Sequence, residues 1–192
     1  MLNTCQYYAG MRFNRRLYQQ HLSKQRKASN IAEGRQLLND LRTRFGNAEN
    51  PLPAVIGTLR SCNPFVFEEL LLNVFAEIEE FKIVRNKRYT GDGGIDGRFY
   101  FDDYPFLIQA KRYTSHINPQ HVEEFSHKIK IYNAEFGLFI HTGKTGNQSW
   151  QNARSSRKDL MIVSGQKLVD LVLIGNATEL LLDHLQRTTH SK

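Results

Sequence analysis

Two short stretches of this 192-residue chain carry residues whose types and spacing could do chemistry. One is Thr90-Gly91-Asp92-Gly93-Gly94-Ile95-Asp96-Gly97; the other is Phe106-Leu107-Ile108-Gln109-Ala110-Lys111. Both belong to short apolar-rich runs, and Asp102-Asp103-Tyr104-Pro105 between them is turn chemistry, so a β-hairpin is expected. Side chains alternate along a strand, which points Gln109 and Lys111 one way and Ala110 the other. Antiparallel pairing then sets Asp96, early in the first strand, near the end of the second. A carboxylate, an amide oxygen and an ammonium would converge there. Mg²⁺, or Mn²⁺ in its place, takes oxygen ligands, commonly one or two carboxylates with waters and a substrate phosphate. Such an ion polarises a phosphate and lowers the pKa of a bound water, while a lysine orients that water or steadies the developing charge. The chemistry these residues could do is phosphodiester hydrolysis.

Other glycine-loop chemistries do not fit. Asp96 stands where the last glycine of a dinucleotide-binding fingerprint should fall, and the Gly-Lys-Ser/Thr end of a P-loop is missing. The ligand spacing of a calcium loop is absent as well. Gln109 and Lys111 alone would describe a solvated strand face; their convergence with Asp96 gives them a chemical reading.

The elements around the hairpin must position these groups. Asn63-Pro64 is a helix start, asparagine as cap and proline at the first helical position. Phe67, Leu70, Leu71, Val74, Phe75 and Ile78 then mark one face of a helix running to about Glu80. At roughly 100° per residue, Glu68 lies at the border of that face and Glu69 points almost directly away. Glu68 is therefore the candidate accessory ligand. Phe81–Arg85 reads as a strand, and Lys82, Arg85, Lys87 and Arg88 lead positive charge into the glycine loop, which suits a phosphate backbone. Ile117-Asn118-Pro119 opens a helix over about 119–133, with Val122, Phe125, Ile129 and Tyr132 inward and His121, His127, Lys128 and Lys130 on the polar side. Those histidines lack the spacing of paired zinc ligands and read as surface or DNA-facing. Phe136–His141 and Leu160–Val163 read as buried strands, with helices at 149–158, 166–173 and 178–185 and a frayed tail after them. Arg154, Arg157 and Lys158 are available to a nucleic-acid backbone. The expected fold is α/β, a central mixed sheet flanked by helices.

Residues 1–53 form a basic helical extension to a domain at 54–192, with helices expected at about 11–25 and 29–45 and Gly46 as the stop. The formal net charge is +7, and it is concentrated: residues 1–50 hold nine Lys/Arg against three Asp/Glu, the remainder 17 against 16. A basic arm fits an acidic partner such as DNA, or a solvated helical face. No apolar run approaches the roughly 20 residues of a membrane helix, and Met1–Gly10 lacks a signal-peptide core. Cys5 and Cys62 are too few for a disulfide framework, so a reducing cytoplasm is expected.

Phe67-Glu68, Gly91-Asp92-Gly93-Gly94-Ile95-Asp96-Gly97 and Gln109-Ala110-Lys111-Arg112-Tyr113 together resemble the PD-(D/E)xK nuclease superfamily. More narrowly they resemble the Mrr-type restriction endonuclease catalytic domain, in which glutamine often replaces the second acidic residue. Gly137–Gly143 and Val163–Leu168 are similar to that family's later strand and final helix, and the likeness covers roughly residues 62–174. The resemblance implies a restriction-endonuclease-like fold and a Mg²⁺-dependent DNA endonuclease acting on foreign or modified DNA. Asp96 would be the main metal ligand, Gln109 the second and Glu68 an accessory, with Lys111 on the water. Arg112, Arg88, Lys87, Lys128 and Arg154 would contact DNA. Cutting both strands of a duplex usually takes two sites, so a homodimer is expected. A repair, junction-cutting or mobile-element nuclease fits the same residues, and an inactive nuclease fold that binds DNA is the reading from another class.

Overall fold

A computed structural model describes residues 4–86, 94–156 and 159–182. Lys87, Arg88, Gly91, Asp92, Gly93, Arg157, Lys158 and the expected tail lie outside the described residues.

The hairpin is formed by β2 (Gly97–Phe101) and β3 (Tyr104–Lys111), paired antiparallel with Phe101 opposite Tyr104. Asp102 and Asp103 make the turn, both at positive φ (48° and 64°). A primed two-residue turn needs that conformation, and aspartate adopts it more readily than most residues. Pro105 belongs to β3, opposite Tyr100, so the turn is two residues shorter than expected. β1 (Lys82–Arg85) joins the other side of β2 antiparallel, and β4 (Phe136–His141) and β5 (Asp159–Val163) extend the sheet from β3 in parallel. The order β1-β2-β3-β4-β5 follows the chain.

Parallel neighbours need long crossovers. Helices α4 (Pro119–Ile131) and α5 (Asn147–Arg154) supply them and cover one face of the sheet. The other face lies under α2 (Leu52–Ser61), α3 (Pro64–Phe75), α6 (Gln166–Ile174) and the second half of α1 (Thr4–Phe45). Alternation divides β3 between the two cores. Phe106, Ile108 and Ala110 join the core under α3 and α6, and Leu107 joins the one under α4. Gln109 and Lys111 therefore face α4. On the α3 side, Phe99 stacks on Phe75 at 5.2 Å and on Phe106 at 4.8 Å between ring centroids.

Both Asn-Pro starts are real. Asn63 Oδ1 accepts from Phe65 N at 2.9 Å, and Asn118 Oδ1 from Gln120 N at 3.0 Å. Helix α3 stops at Phe75, short of the expected Glu80, because the chain must turn back for Phe81 to stack on Phe99 at 4.6 Å. The two expected N-terminal helices are one helix of 42 residues, about 60 Å long. No proline or glycine interrupts residues 25–29, and Ser29 Oγ donates to Glu33 Oε1 at 2.6 Å, one turn on. The second half of α1 is part of the main core through Leu38 and Leu41. Gly34 permits the crossing, since a Cβ there would stand 2.8 Å from Leu70 N on α3. Arg42 closes the far end with a bidentate pair to Glu77, at 2.7 and 2.8 Å, and a bond to Val172 O.

Candidate active site

The site lies where β3 ends and the chain enters β2. Asp96, expected early in the strand, immediately precedes β2; its N donates to Ile108 O at 2.9 Å, so it sits against the same residue that pairs with Gly97. Asp96 Oδ2 accepts from Ala110 N at 2.6 Å, so the main chain of β3 aims the carboxylate. Lys111 follows Gln109 on the same face of the strand.

Gln109 is 3 % exposed. Its Nε2 donates to Gly94 O, and Oε1 is buried with no hydrogen-bond donor among the described residues. The amide cannot be turned over, because only its NH₂ group can bond to a carbonyl. An acceptor shut away without a donor costs about 1–3 kcal/mol and calls for an explanation.

The segment entering β2 is stitched down by side chains. Asn86 Nδ2 donates to Ile95 O, and Lys128 Nζ joins Gln109 on Gly94 O at 3.2 Å. Irregular backbone satisfies its polar groups in this way. Gly94 has φ +71°, a backbone conformation that requires glycine, and Lys128 Nζ would lie 2.6 Å from a Cβ there, so the ammonium sits hard against this turn.

Helix α4 supplies the facing wall. Its flank toward β3 carries His121, Glu124 and Lys128, and each has a partner in the β3 region. Tyr113 Oη bonds His121 Nδ1, while Glu124 is an electrostatic neighbour of both Tyr113 and Lys128. Burial lowers the Lys128 pKa, nearby Lys111 lowers it further, and Glu124 and Asp96 pull it back up. Burial, reinforced by Glu124, raises that of Tyr113. The polar side expected for this helix is thus two flanks, with His127 and Lys130 on the other. The inward stripe at Val122, Phe125 and Ile129 could have revealed this, since residues 121 and 128 share one angular position beside it. Tyr132, expected on that stripe, is 36 % exposed and lies under the Arg98 guanidinium.

On α3, the methyls of Leu72 abut Gly97, and Phe75 stacks on Phe99 three residues later. The helix therefore runs alongside β2, and Glu68, one turn before Leu72, lies toward the Asp96 end of the strand. It is partly exposed. Glu69 corrects the helical-wheel expectation: it is 1 % exposed, with Oε2 2.8 Å from Arg85 Nε. Arg85 also donates to Asn73 Oδ1 at 2.8 Å, and Asn73 Nδ2 donates to Ile31 O of α1 at 3.1 Å. The helix crossing α3 from outside buries the side that the apolar stripe leaves polar.

The family profile of restriction endonucleases with an Mrr-type catalytic domain matches residues 59–172. The chain belongs to that family. Among solved structures it is similar to the MspJI restriction endonuclease in complex with a 27-mer oligonucleotide, with a TM-score of 0.52 at 22 % identity over 70 % of this chain and 35 % of that one. It is also similar to AspBHI, a DNA modification-dependent restriction endonuclease (TM-score 0.34, 19 % identity, 84 % of this chain and 42 % of that one). Pyrococcus furiosus SfsA in complex with Ca²⁺ is similar at a TM-score of 0.33 and 11 % identity, over 58 % and 57 %. The chain spans about a third of the length of MspJI. No match was found among curated proteins. The likeness to MspJI bears out a restriction-endonuclease-like α/β fold, and family membership supports a DNA nuclease.

Nucleases of this family generally use a divalent metal, and the residues here fit one. Asp96 offers a carboxylate held by the strand beside it, and Gln109 Oε1 is a buried oxygen without a donor. Both are hard oxygen ligands of the kind Mg²⁺ takes. No cluster of three His, Cys, Asp or Glu suited to a metal occurs among the described residues.

Two further side chains are placed for structure. Arg112 was expected on DNA, but its Nη1 donates to Arg60 O at 2.8 Å and to Cys62 O, where it caps the end of α2. His141, beside Lys111 in the β3–β4 register, is fully buried. Its Nδ1 accepts from Gly143 N at 3.1 Å, so the proton sits on Nε2, 3.0 Å from Thr145 Oγ1. Burial lowers its pKa to about 4. Arg154 is exposed at the end of α5. No helix among the described residues is long and apolar enough to cross a membrane.

Proposed function

We propose that this chain is a Mg²⁺-dependent DNA endonuclease, with Mn²⁺ able to substitute, that restricts foreign or modified DNA. The observation that carries the reading is the Asp96 carboxylate held by Ala110 N of β3, beside Gln109, whose oxygen is buried without a donor among the described residues, with Lys111 two residues on. Asp96 and Gln109 would hold the ion, with Glu68 reaching in from α3. When bound, the ion would polarise the scissile phosphate and acidify a water. Lys111 orients the attacking water and steadies charge on the phosphate. Lys128 and Arg154 face the DNA backbone, with Lys87 and Arg88 of the glycine loop contributing from outside the described residues. The first half of α1 adds a basic arm: residues 1–28 contain six Lys/Arg and no Asp/Glu. Two copies of the chain would give a double-strand cut.

The test is supercoiled plasmid incubated with Mg²⁺ or Mn²⁺, beside Lys111→Ala. Nicking or linearisation by the parent alone is expected, and preference for methylated over unmethylated plasmid would support the restriction role. Equal cutting of both would sink that role and leave the nuclease. Binding without cutting in either metal would favour the inactive-fold reading.

A further inference from the structure

Lys128 stands outside the sequence motif yet inside the site. Its Nζ is 3.2 Å from Gly94 O, and Lys111 and Asp96 are both electrostatic neighbours. Two ammoniums thus lie near Asp96, while the second acidic slot of the hairpin holds the neutral Gln109. Such an arrangement is relieved by an anion lying between the two cations.

Lys128 is also free to move. Gly94 O has a second donor in Gln109 Nε2, so losing Lys128 does not orphan that carbonyl. A lysine has a flexible four-carbon stem and a point charge that can follow a phosphate. Glu124, one turn earlier on α4, attracts the ammonium from the same flank of the helix.

We propose that Lys128 is a phosphate-contacting residue of the active site, whose ammonium exchanges the Gly94 carbonyl for a non-bridging oxygen of the DNA phosphate beside Lys111. The proposal rests on the nuclease reading of Asp96, Gln109 and Lys111, and makes α4 the second wall of the substrate channel.

The test compares the parent, Lys128→Gln and Lys128→Arg in two assays. Duplex binding is measured in Ca²⁺ across a salt series, and plasmid cleavage in Mg²⁺; thermal melts confirm that each variant folds. Lys128→Gln should lower the slope of log affinity against log salt by about one contact. It should reduce kcat/KM by at least about 10-fold, the scale of a charged phosphate contact. Lys128→Arg should restore the slope. An unchanged slope would overturn the proposal even if activity falls, because Lys128 would then only support Gly94. Absence of DNA binding by the parent would overturn it too. A parent that binds but does not cut would refute the nuclease reading, while the slope would still decide the phosphate contact.

Discussion

Gln109→Met removes both polar ends of the side chain at nearly constant volume. Losing the Nε2 bond to Gly94 O costs about 1 kcal/mol, and Lys128 keeps that carbonyl satisfied. Losing Oε1 removes a buried acceptor without a donor, which returns about 1–3 kcal/mol. The net expectation is a gain of about 0–2 kcal/mol, a rise of up to about 8 °C in Tm for a chain of this size. The same change deletes a proposed metal ligand. Mutating even the outer partners of metal ligands costs about 10–100-fold, so cleavage should fall by at least about 100-fold. Stability and activity would then move in opposite directions, as expected where a residue is kept for function at the expense of the fold. Thermal and urea melts in EDTA, beside plasmid nicking in Mg²⁺, measure both. A stability loss beyond about 1 kcal/mol would show that Oε1 is satisfied, and retained nicking would show that it is not a ligand. Either result refutes the reasoning.

Gln109→Glu exchanges the donor to Gly94 O for a second carboxylate in the site. In EDTA it should destabilise by about 1–3 kcal/mol, while at low Mg²⁺ its nicking is kept or raised; melts that do not respond to Mg²⁺ would count against the metal site. Arg85→Ala removes the guanidinium paired with the buried Glu69 carboxylate and should cost about 3–5 kcal/mol in urea unfolding, whereas a loss below about 1 kcal/mol would mean the pair is solvated. His141 is neutral in the fold, with its pKa lowered from 6.5 to about 4. Its contribution is fully present above pH 6.5 and is lost as pH falls toward 4, by up to about 3 kcal/mol. Urea midpoints between pH 7 and 4 should drop more steeply for the parent than for His141→Gln, and parallel curves would rule out His141 as the cause.

Much of this fold was legible because its signals are local. Asn63-Pro64 and Asn118-Pro119 start helices through their own backbones, and Asp102-Asp103 turns the hairpin by adopting a conformation few residues tolerate. Alternation alone placed Gln109 with Lys111. The failures arose where a distant segment decides. Nothing near Glu69 in sequence announces α1, 35 residues upstream at Gly34, which turns an exposed flank into an interior. Arg112 follows the motif lysine, yet its partners are the carbonyls of Arg60 and Cys62, which only tertiary structure brings near. The division of N-terminal helices failed for the opposite reason. Polar residues at 25–30 give weak helical pattern but contain no breaker, and continuity prevails unless something stops it.

The substitution of glutamine for an acid in the second position has a physical logic here. Gly94 O points at residue 109, and a carboxylate in that place would set one acceptor against another. Glutamine offers a donor to the carbonyl and still presents an oxygen to the site. Asparagine has the same groups on a stem one methylene shorter, so it could not keep both ends in place. The amide would therefore couple two tasks: it fixes the backbone that leads into Asp96, and, on the proposed reading, it offers the metal a second oxygen. Lys128 then completes the balance. With one fewer negative charge between the strands, a second ammonium can stand beside Lys111, and the site acquires a cation where an acidic pair would have been neutralised by its own lysine.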